Sequence, residues 1–407
     1  MLRRTLDDSF PAAVRRDVTT VTVARLTANA AYRFAPPFLA TIARGLDVEL
    51  SELGVALAVS ELCGLSSPMI GRGVERVPRR WSMATGLTGI GCGAVIAGAS
   101  SGVVMFGAGL FVLAMAKIVF DVGLGSWIAD HVPYERRGRV VGVTETSWAL
   151  GLLLGVSLMG LITAATSWRW GYAAAAVAVV VMAGVLAVRI DADADDSPAR
   201  SVVADPSARL ARPGWLAVIG MFFLMSAAQS LFVTFGPWLE DEFGVRTVAL
   251  AAVTFGLGAL ELAASTTSAA RTDRWGKEFS VAAGTAVMVP AALALAALDS
   301  QLVAGLLLLG LYIAAFEFAI VSCIPIGGEL VPGSPARGLG TMIACGTLGR
   351  ALTAIPATRL YDRWGLTPAA LLGAGFAALA GGAMFARRRV LEHPSLGRAS
   401  AEASQPR

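Results

Sequence analysis

The stretch Gly71–Arg80, GRGVERVPRR, recurs in weaker form as Arg271–Glu278, RTDRWGKE. Each copy lies between two long apolar segments, and each contains an acidic residue, an arginine directly after it, and a further basic residue a few positions on. Such a stretch is typical of a tight turn at a membrane surface, because irregular backbone is not tolerated in contact with lipid. The pair predicts a membrane protein built from two related halves.

Other matches between the halves keep the same offset of 198 to 200 positions. They are Asn29 with Gln229, Pro37-Phe38-Leu39 with Pro237-Trp238-Leu239, Glu61-Leu62 with Glu261-Leu262, and Pro133 with Pro332. A constant offset over several features indicates a tandem duplication. Two parallel halves, each a bundle of membrane helices, are typical of one class of secondary transporter.

The composition supports a membrane protein. Of 407 residues, 56% are hydrophobic and 15% are charged, whereas a soluble domain carries about 25% charged residues. The sequence predicts an all-α integral membrane protein with twelve transmembrane helices in two pseudo-symmetric six-helix bundles. The predicted spans are roughly 18–43, 50–71, 82–100, 102–131, 136–165, 169–189, 214–240, 247–271, 278–298, 301–331, 336–362 and 366–386.

Basic residues predict the orientation. With both ends inside, 24 Lys and Arg residues fall in cytoplasmic segments and 5 in outer segments, and such a bias is typical of cytoplasmic termini. The resulting domains are a tail at 1–17, a helix bundle at 18–189, a linker at 190–213, a second bundle at 214–387 and a tail at 388–407. We expect a multi-pass protein of the plasma membrane with no cleaved signal.

Nine ionisable residues fall inside the predicted spans: Arg25, Arg33, Lys117, Arg350, Glu61, Asp121, Glu145, Glu261 and Glu317. Each would cost at least ~2.5–3.5 kcal/mol if it faced lipid at mid-bilayer. We therefore expect them to face the interior, paired or around a water-filled cavity. Most lie about halfway along their spans, where transporter sites are built.

The predicted cavity residues are Asn29, Arg33, Lys117, Asp121, Gln229, Glu317 and Arg350. Arg33 has two interpretations: it binds an anionic group of the solute, or it only neutralises Glu61 or Asp121. Lys117 and Asp121, one helical turn apart, form either a relay or a local pair. Arg25 and Glu145 lie nearer the cytoplasm and are expected to pair.

Glu61, Glu261 and Asp121 are the candidates for proton coupling. Glu61 and Glu261 occupy equivalent places in the two halves, and burial disfavours the charged form of a carboxyl group. The alternative is that they form hydrogen bonds to neighbouring helices. We expect no metal and no cofactor, because the cysteines show no ligand spacing and no phosphate-binding loop is present. An enzyme is disfavoured for lack of a nucleophile–base pair.

With these features the chain resembles the major facilitator superfamily over about residues 15–390. Gly71–Arg80 resembles the family's signature loop between the second and third spans, and Ala269–Lys277 its weaker copy. The resemblance implies alternating access, with spans one, four, seven and ten lining the cavity. It also implies a gate in which Glu75 and Asp273 brace helix N-termini of the opposite half. The predicted gating residues are Gly71, Glu75, Arg76, Arg79, Arg80, Asp273, Arg274 and Lys277.

The sequence departs from the family pattern at Glu75, where Asp is usual, and at Pro78, where Gly is usual. The fifth span, Gly155-Val156-Ser157-Leu158-Met159-Gly160, lacks the Gly-Pro pair typical of antiporters. The resemblance is to the drug and solute exporter branch, and Arg33 favours an anionic or zwitterionic solute. We expect a monomer in the lipid bilayer, with a small-molecule substrate and no nucleic acid partner.

Our hypothesis is a proton-coupled secondary transporter, with efflux favoured. The alternatives are an uptake symporter or facilitator for an anionic or zwitterionic metabolite, and a membrane sensor or assembly protein that does not transport.

Overall fold

The computed structural model describes residue 10 and residues 12–74, 77–132, 134–190, 210–331 and 335–392, which are almost entirely helical. The helices are α1 (Ala12–Arg33), α2 (Leu39–Leu46), α3 (Leu50–Leu62), α4 (Ser67–Val74), α5 (Arg79–Gly98), α6 (Val103–His131), α7 (Tyr134–Leu150), α8 (Ser157–Ala165), α9 (Trp168–Arg189), α10 (Arg212–Phe232), α11 (Phe235–Phe243), α12 (Thr247–Trp275), α13 (Lys277–Ala297), α14 (Leu302–Gly327), α15 (Pro335–Trp364) and α16 (Leu366–Glu392). Two 3₁₀ turns follow α1 and α3, at Pro36–Phe38 and Cys63–Ser66, and a π-helical stretch, Gly151–Val156, joins α7 to α8.

Within the described ranges, ten helical segments are long and apolar enough to cross a membrane. They coincide with ten of the twelve predicted spans. The other two predicted spans, 18–43 and 50–71, are helical, but their helices are not both long enough and apolar enough to be counted among the ten. The first contains Arg25 and Arg33, and the second is divided by the turn at Cys63–Ser66. The count of twelve spans therefore stays a prediction.

The helices of residues 12–190, here called the N-half, pack largely on one another, and so do those of residues 210–392, the C-half. In the N-half α5 packs on α6 and α9, and in the C-half α13 packs on α14 and α16. The halves meet where α3 packs on α15 and where α12 packs on α8 and the π-helical stretch. These interfaces contain α3 and α12, which carry Glu61 and Glu261.

The two charged turns differ in backbone conformation. Gly276, before α13, has a φ of 88°, a value that glycine adopts without steric cost. Pro78, at the equivalent position before α5, has a φ of −52°, as its ring requires. The carbonyl group of each residue accepts a hydrogen bond from the amide four positions on. Ser82 donates to Pro78, and Ser280 donates to Gly276. The replacement of glycine by proline thus changes the approach to the helix but keeps its first hydrogen bond.

Candidate functional site

Arg33, the last residue of α1, reaches across to the C-half and is 8% exposed. Its guanidinium donates from Nη1 to Glu261 Oε2 at 2.8 Å and from Nη2 to Glu261 Oε1 at 2.6 Å. Nη1 also donates to the Trp148 carbonyl at 2.9 Å, and the guanidinium carbon lies 4.6 Å from the centre of the Trp148 ring. Parallel bonds to a carboxylate and stacking on an aromatic ring both make use of the planar shape of the guanidinium. Three hydrogen bonds and one stacking contact therefore hold Arg33 in this conformation.

The partner predicted for Arg33 is wrong. The sequence points to Glu61 or Asp121 within the same half, but Glu261 of the other half takes this place. The 3₁₀ turn at Pro36–Phe38, shortly after Arg33, packs on α12, which is the helix that carries Glu261.

Glu61 is bound in a related way by an arginine of the C-half. Arg350 on α15 donates from Nη2 to Glu61 Oε1 at 2.7 Å, and the Tyr32 hydroxyl donates to Oε2 at 2.9 Å. Both charged side chains are largely buried. Each of the two equivalent glutamates therefore forms an ion pair with an arginine of the opposite half.

A third cluster lies within the N-half. Lys117 Nζ is 2.5 Å from Asp121 Oδ2, so the two residues form a local ion pair, which is one of the two interpretations of their spacing. Arg25 Nη1 is 2.7 Å from Glu145 Oε1, which confirms the second predicted pair, and Arg25 Nε is 3.4 Å from Asp121 Oδ1. The Asp121 and Glu145 side chains are 35% and 39% exposed. This cluster is the solvent-accessible part of the charged interior.

Glu317 on α14 differs from the other buried acids. Oε1 accepts a hydrogen bond from the Ser265 hydroxyl at 2.6 Å, while Oε2 is buried without a hydrogen-bond partner. Among the described residues it forms no ion pair, although Arg33 and Glu261 are close enough to act on it electrostatically. A buried carboxylate without a counter-ion is costly, and a bound proton removes that cost.

The matched amides Asn29 and Gln229 are both fully buried. Asn29 Nδ2 donates to Ser147 Oγ at 3.2 Å, whereas its Oδ1 atom has no partner in the described part of the chain. Neither side-chain polar atom of Gln229 has a partner there. Because buried polar groups are normally hydrogen-bonded, both residues have unused capacity to bind a solute or water.

The charged turns are fixed within their own halves. Arg79 Nε lies 2.7 Å from Asp130 Oδ2 at the end of α6, and Lys277 forms the corresponding ion pair with Glu329 just after α14. The side chains of Arg80 and Arg271 lie over Trp81 and Trp275. The acids in these pairs were not predicted, although they follow their basic partners at similar distances in the two halves.

The predicted brace between the halves is not tested. Glu75 and Arg76 lie outside the described residues, as do the side chain of Asp273 and that of Arg72 beside Gly71. Gly71 itself belongs to α4, and Arg274 lies exposed near the end of α12.

The halves touch at the far side, which we define as the membrane side opposite the two charged turns. Arg44 forms an ion pair with Glu240. Glu240 Oε1 also accepts a hydrogen bond from the Thr41 hydroxyl at 2.8 Å. The Ser51 amide donates to Asp362 at 2.9 Å. These contacts join α2 to α11, and the start of α3 to the end of α15. These contacts hold the halves together at the far side, while the exposed cluster around Asp121 lies toward the charged turns.

Sequence reasoning missed three groups that complete the site: Tyr32, Trp148 and Ser265. Two of them had a signal, because Tyr32 adjoins Arg33 and Ser265 lies one helical turn after Glu261. Trp148 had none, since its contact depends on how α7 packs beside α1.

The chain is similar to known membrane transporters. The family model for the Major Facilitator Superfamily matches residues 21–332. An uncharacterized MFS-type transporter, YwfA, of Bacillus subtilis (strain 168) is 26% identical over 134 residues, which are 33% of this chain and 32% of that protein. The match thus spans about a third of this relative's length.

Solved structures show the same fold at low identity. A bacterial homolog of the human lysosomal transporter Spinster, inward-facing and unoccupied, has a TM-score of 0.75 at 12% identity, and the match covers 93% of this chain and 97% of that one. The human organic anion transporter MFSD10 (TETRAN) has a TM-score of 0.69 at 18% identity, covering 92% and 100%. At these identities the likeness shows the fold alone.

Proposed function

Because the chain belongs to the Major Facilitator Superfamily, we propose that it is a proton-coupled secondary transporter that moves a small organic solute by alternating access. The family match supports a multi-pass membrane transporter rather than an enzyme. Proton coupling and the class of solute are parts of the proposal, and so is export, which follows from the family resemblance.

The proposal of proton coupling rests on Glu317. Glu61 and Glu261, the first candidates, each bind an arginine, so an added proton would leave a buried guanidinium without its counter-ion. Glu317 has the Ser265 hydroxyl and no cation. It can therefore gain or lose a proton without breaking an ion pair. We propose Glu317 as the proton carrier, with Glu61 and Glu261 as ion-pair partners and Asp121 in the accessible cluster.

The contacts across the far side and the exposed Asp121 and Glu145 support one state of an alternating-access cycle. Together with cytoplasmic charged turns, they correspond to a state open to the cytoplasm. The proposal includes twelve spans, bundles at 18–189 and 214–387, and cytoplasmic termini in the plasma membrane. The packing of each half on itself supports this division.

The test is proton flux in proteoliposomes with a pH-sensitive dye inside. A panel of cationic, anionic and zwitterionic solutes is added to wild type, Glu317→Gln and the matched control Glu242→Gln, at an exposed far-side position. We expect solute-dependent flux in wild type and the control. In Glu317→Gln we expect that flux to be lost while solute counterflow remains.

Other outcomes separate the alternatives. Counterflow in wild type without proton flux indicates a facilitator. Flux that persists in Glu317→Gln contradicts the role of Glu317 but leaves coupling in place. Wild-type protein that shows neither flux nor counterflow with any solute contradicts transport and favours a sensor or assembly protein.

A further inference from the structure

We propose that the far-side end of α15 carries a binding site for one anionic phospholipid, whose phosphate group is held by Arg359 and Arg363. The site lies on the exposed surface of the C-half and not in the charged interior. The inference goes beyond the proposed function, because it requires only that the chain lies in a bilayer. It rests on a groove, on two arginines without acidic partners, and on an apolar row that continues from them along the helix.

Arginines on the far side are few. The sequence places five there: Arg44, Arg169, Arg246, Arg359 and Arg363. Arg44 forms an ion pair with Glu240, and Arg169 donates to the Ser100 carbonyl at 2.8 Å. Neither Arg359 nor Arg363 forms an ion pair or a hydrogen bond with another described residue. Their guanidinium groups are therefore available to a ligand.

Arg359 and Arg363 lie one helical turn apart on α15, and both are exposed. Side chains at this spacing are neighbours on the helix surface, and two like charges there destabilise the helix. The guanidinium carbon of Arg363 also lies 5.9 Å from the centre of the Trp364 ring, and Trp364 is 62% exposed. A phosphate group bound between the arginines would remove their repulsion and accept charge-assisted hydrogen bonds from both.

A groove of about 430 Å³ gives the phosphate group its place. It is lined by Arg359, Arg363 and Trp364 together with Ile355, Pro356 and Leu360. This volume lies within the range of small-ligand sites, about 300–1,000 Å³. The lining combines two cationic side chains with apolar ones, which is the composition that a lipid head group and the start of its chains require.

The acidic residue between the two arginines belongs to a different place. The Asp362 carboxylate accepts a hydrogen bond from the Ser51 amide of the N-half at 2.9 Å. Asp362 lines a separate cleft between the halves, together with Asp47 and Asp241. The residues that line the arginine groove include no acid, so an anion bound there meets no like charge from its lining.

An apolar row leads from the groove toward the middle of the membrane. Leu352, Pro356, Arg359 and Arg363 follow one another at intervals of three or four residues and so share a face of α15. Leu352 is 57% exposed and lies seven residues, or about 10 Å, from Arg359 along the helix. Trp364 is of the type enriched where a membrane meets water. This arrangement favours a phosphate ester with acyl chains over a soluble anion.

The charge of the site selects among lipids. A zwitterionic phospholipid would bring its own ammonium group close to two guanidinium groups, whereas phosphatidylglycerol has a phosphate and no cation. We therefore expect phosphatidylglycerol to bind more tightly than phosphatidylcholine.

Native mass spectrometry of the purified, delipidated full-length chain tests the site. Phosphatidylglycerol is titrated into wild type, Arg359→Gln/Arg363→Gln and the control Arg246→Gln, which removes an exposed far-side arginine outside the groove. In the double variant we expect one bound phosphatidylglycerol to be lost, or its Kd to rise about tenfold or more, because the charge-assisted bonds to the phosphate are removed. Arg246→Gln should bind as wild type does. Because all three arginines are exposed, thermal unfolding without lipid should be the same in every variant.

Trp364 reports directly on the groove. Its emission is obtained in nanodiscs as the difference between wild type and Trp364→Phe. At equal mole fractions, phosphatidylglycerol with brominated acyl chains should quench this emission severalfold more than brominated phosphatidylcholine. The preference should disappear in Arg359→Gln/Arg363→Gln.

The proposal is overturned if the double variant binds phosphatidylglycerol as wild type does, or if the two brominated lipids quench Trp364 equally in wild type. Displacement of the lipid by millimolar glycerol 3-phosphate would also overturn it, because the site would then be one for a soluble phosphate ester. None of these readouts requires turnover. Lipid binding as expected, but without solute flux or counterflow in proteoliposomes, would leave the lipid site in place and contradict only transport.

Discussion

Arg350 and Glu61 lie on opposite halves of the chain, yet the guanidinium Nη2 is 2.7 Å from the carboxylate Oε1, and both side chains are nearly excluded from solvent. The two groups depend on each other, because a single buried charge without its partner is far more costly than a pair. The same dependence holds for Arg33 and Glu261. Two such pairs make the contact between the halves sensitive to the loss of any one of four charges.

Removal of one charge from the Arg350–Glu61 pair should be costly. We expect Glu61→Gln to lower the free energy of unfolding by about 3–5 kcal/mol, because Arg350 is left buried without a counter-ion. The double variant Glu61→Met/Arg350→Met should regain most of this loss, since apolar side chains of similar volume replace the pair. Equilibrium unfolding in mixed micelles measures the differences.

The control for this prediction is the exposed pair of Arg388 and Glu392 on α16, whose side chains are 47% and 50% exposed. We expect Glu392→Gln to change stability by less than ~0.5 kcal/mol. Equal effects at the two pairs would contradict the dependence described above.

A disulfide across the far side should stop transport. An ideal Cβ placed on Gly54 lies 3.0 Å from the Cβ of Thr358, about half an ångström below the usual disulfide range of about 3.5–4.5 Å. In a background without the four native cysteines, we expect Gly54→Cys/Thr358→Cys to cross-link α3 to α15. Solute flux should fall to background and return after reduction.

The matched cross-link lies within one half. A Cβ on Gly107 of α6 comes 3.2 Å from the Cβ of Ala56 on α3. Gly107→Cys/Ala56→Cys should form a disulfide but keep transport, because it joins no parts that move relative to each other. Loss of flux in both pairs would point to general damage.

Gly258 should tolerate no side chain. Its Cβ would come within 2.4 Å of the Leu153 backbone nitrogen in the π-helical stretch, so Gly258→Ala forces α12 away from the N-half. We expect a loss of about 1–3 kcal/mol, as for other overpacked contacts. Gly256, two residues earlier on the same helix, has no atom within 4 Å of such a Cβ. Gly256→Ala should be neutral or stabilising by up to ~1 kcal/mol, and equal losses at both positions would refute the close contact.

Reporter fusions test the orientation. The bias of basic residues predicts that fusions at Ser197 and at Arg398 both report the cytoplasm. A fusion after Asp299, in the short connection between α13 and α14, should report the outside and serves as the opposite-sided control. An external signal at Ser197 or Arg398 would contradict the twelve-span arrangement.

The sequence was sufficient for the local features of the site. Lys117 and Asp121 are four residues apart on one helix, so their pairing follows from the helical period. Arg25 and Glu145 were matched by their similar depth. The pairing of Arg33 with Glu261 was not predictable in this way, because nothing in the spacing shows which helices of the two halves meet. The π-helical stretch Gly151–Val156 likewise depends on the packing of α12 against α8, which the sequence does not reveal.

The glutamates at 61 and 261 are equivalent by position, but their arginines are not. The repeat offset of about 199 places the counterpart of Arg350 among Leu150, Gly151 and Leu152, and the counterpart of Arg33 among Leu231, Phe232 and Val233. Each half therefore carries a glutamate at the shared position, but each arginine occurs in one half only, Arg33 on α1 and Arg350 on α15. In its buried ion pairs each half is complementary to the other half and not to a copy of itself.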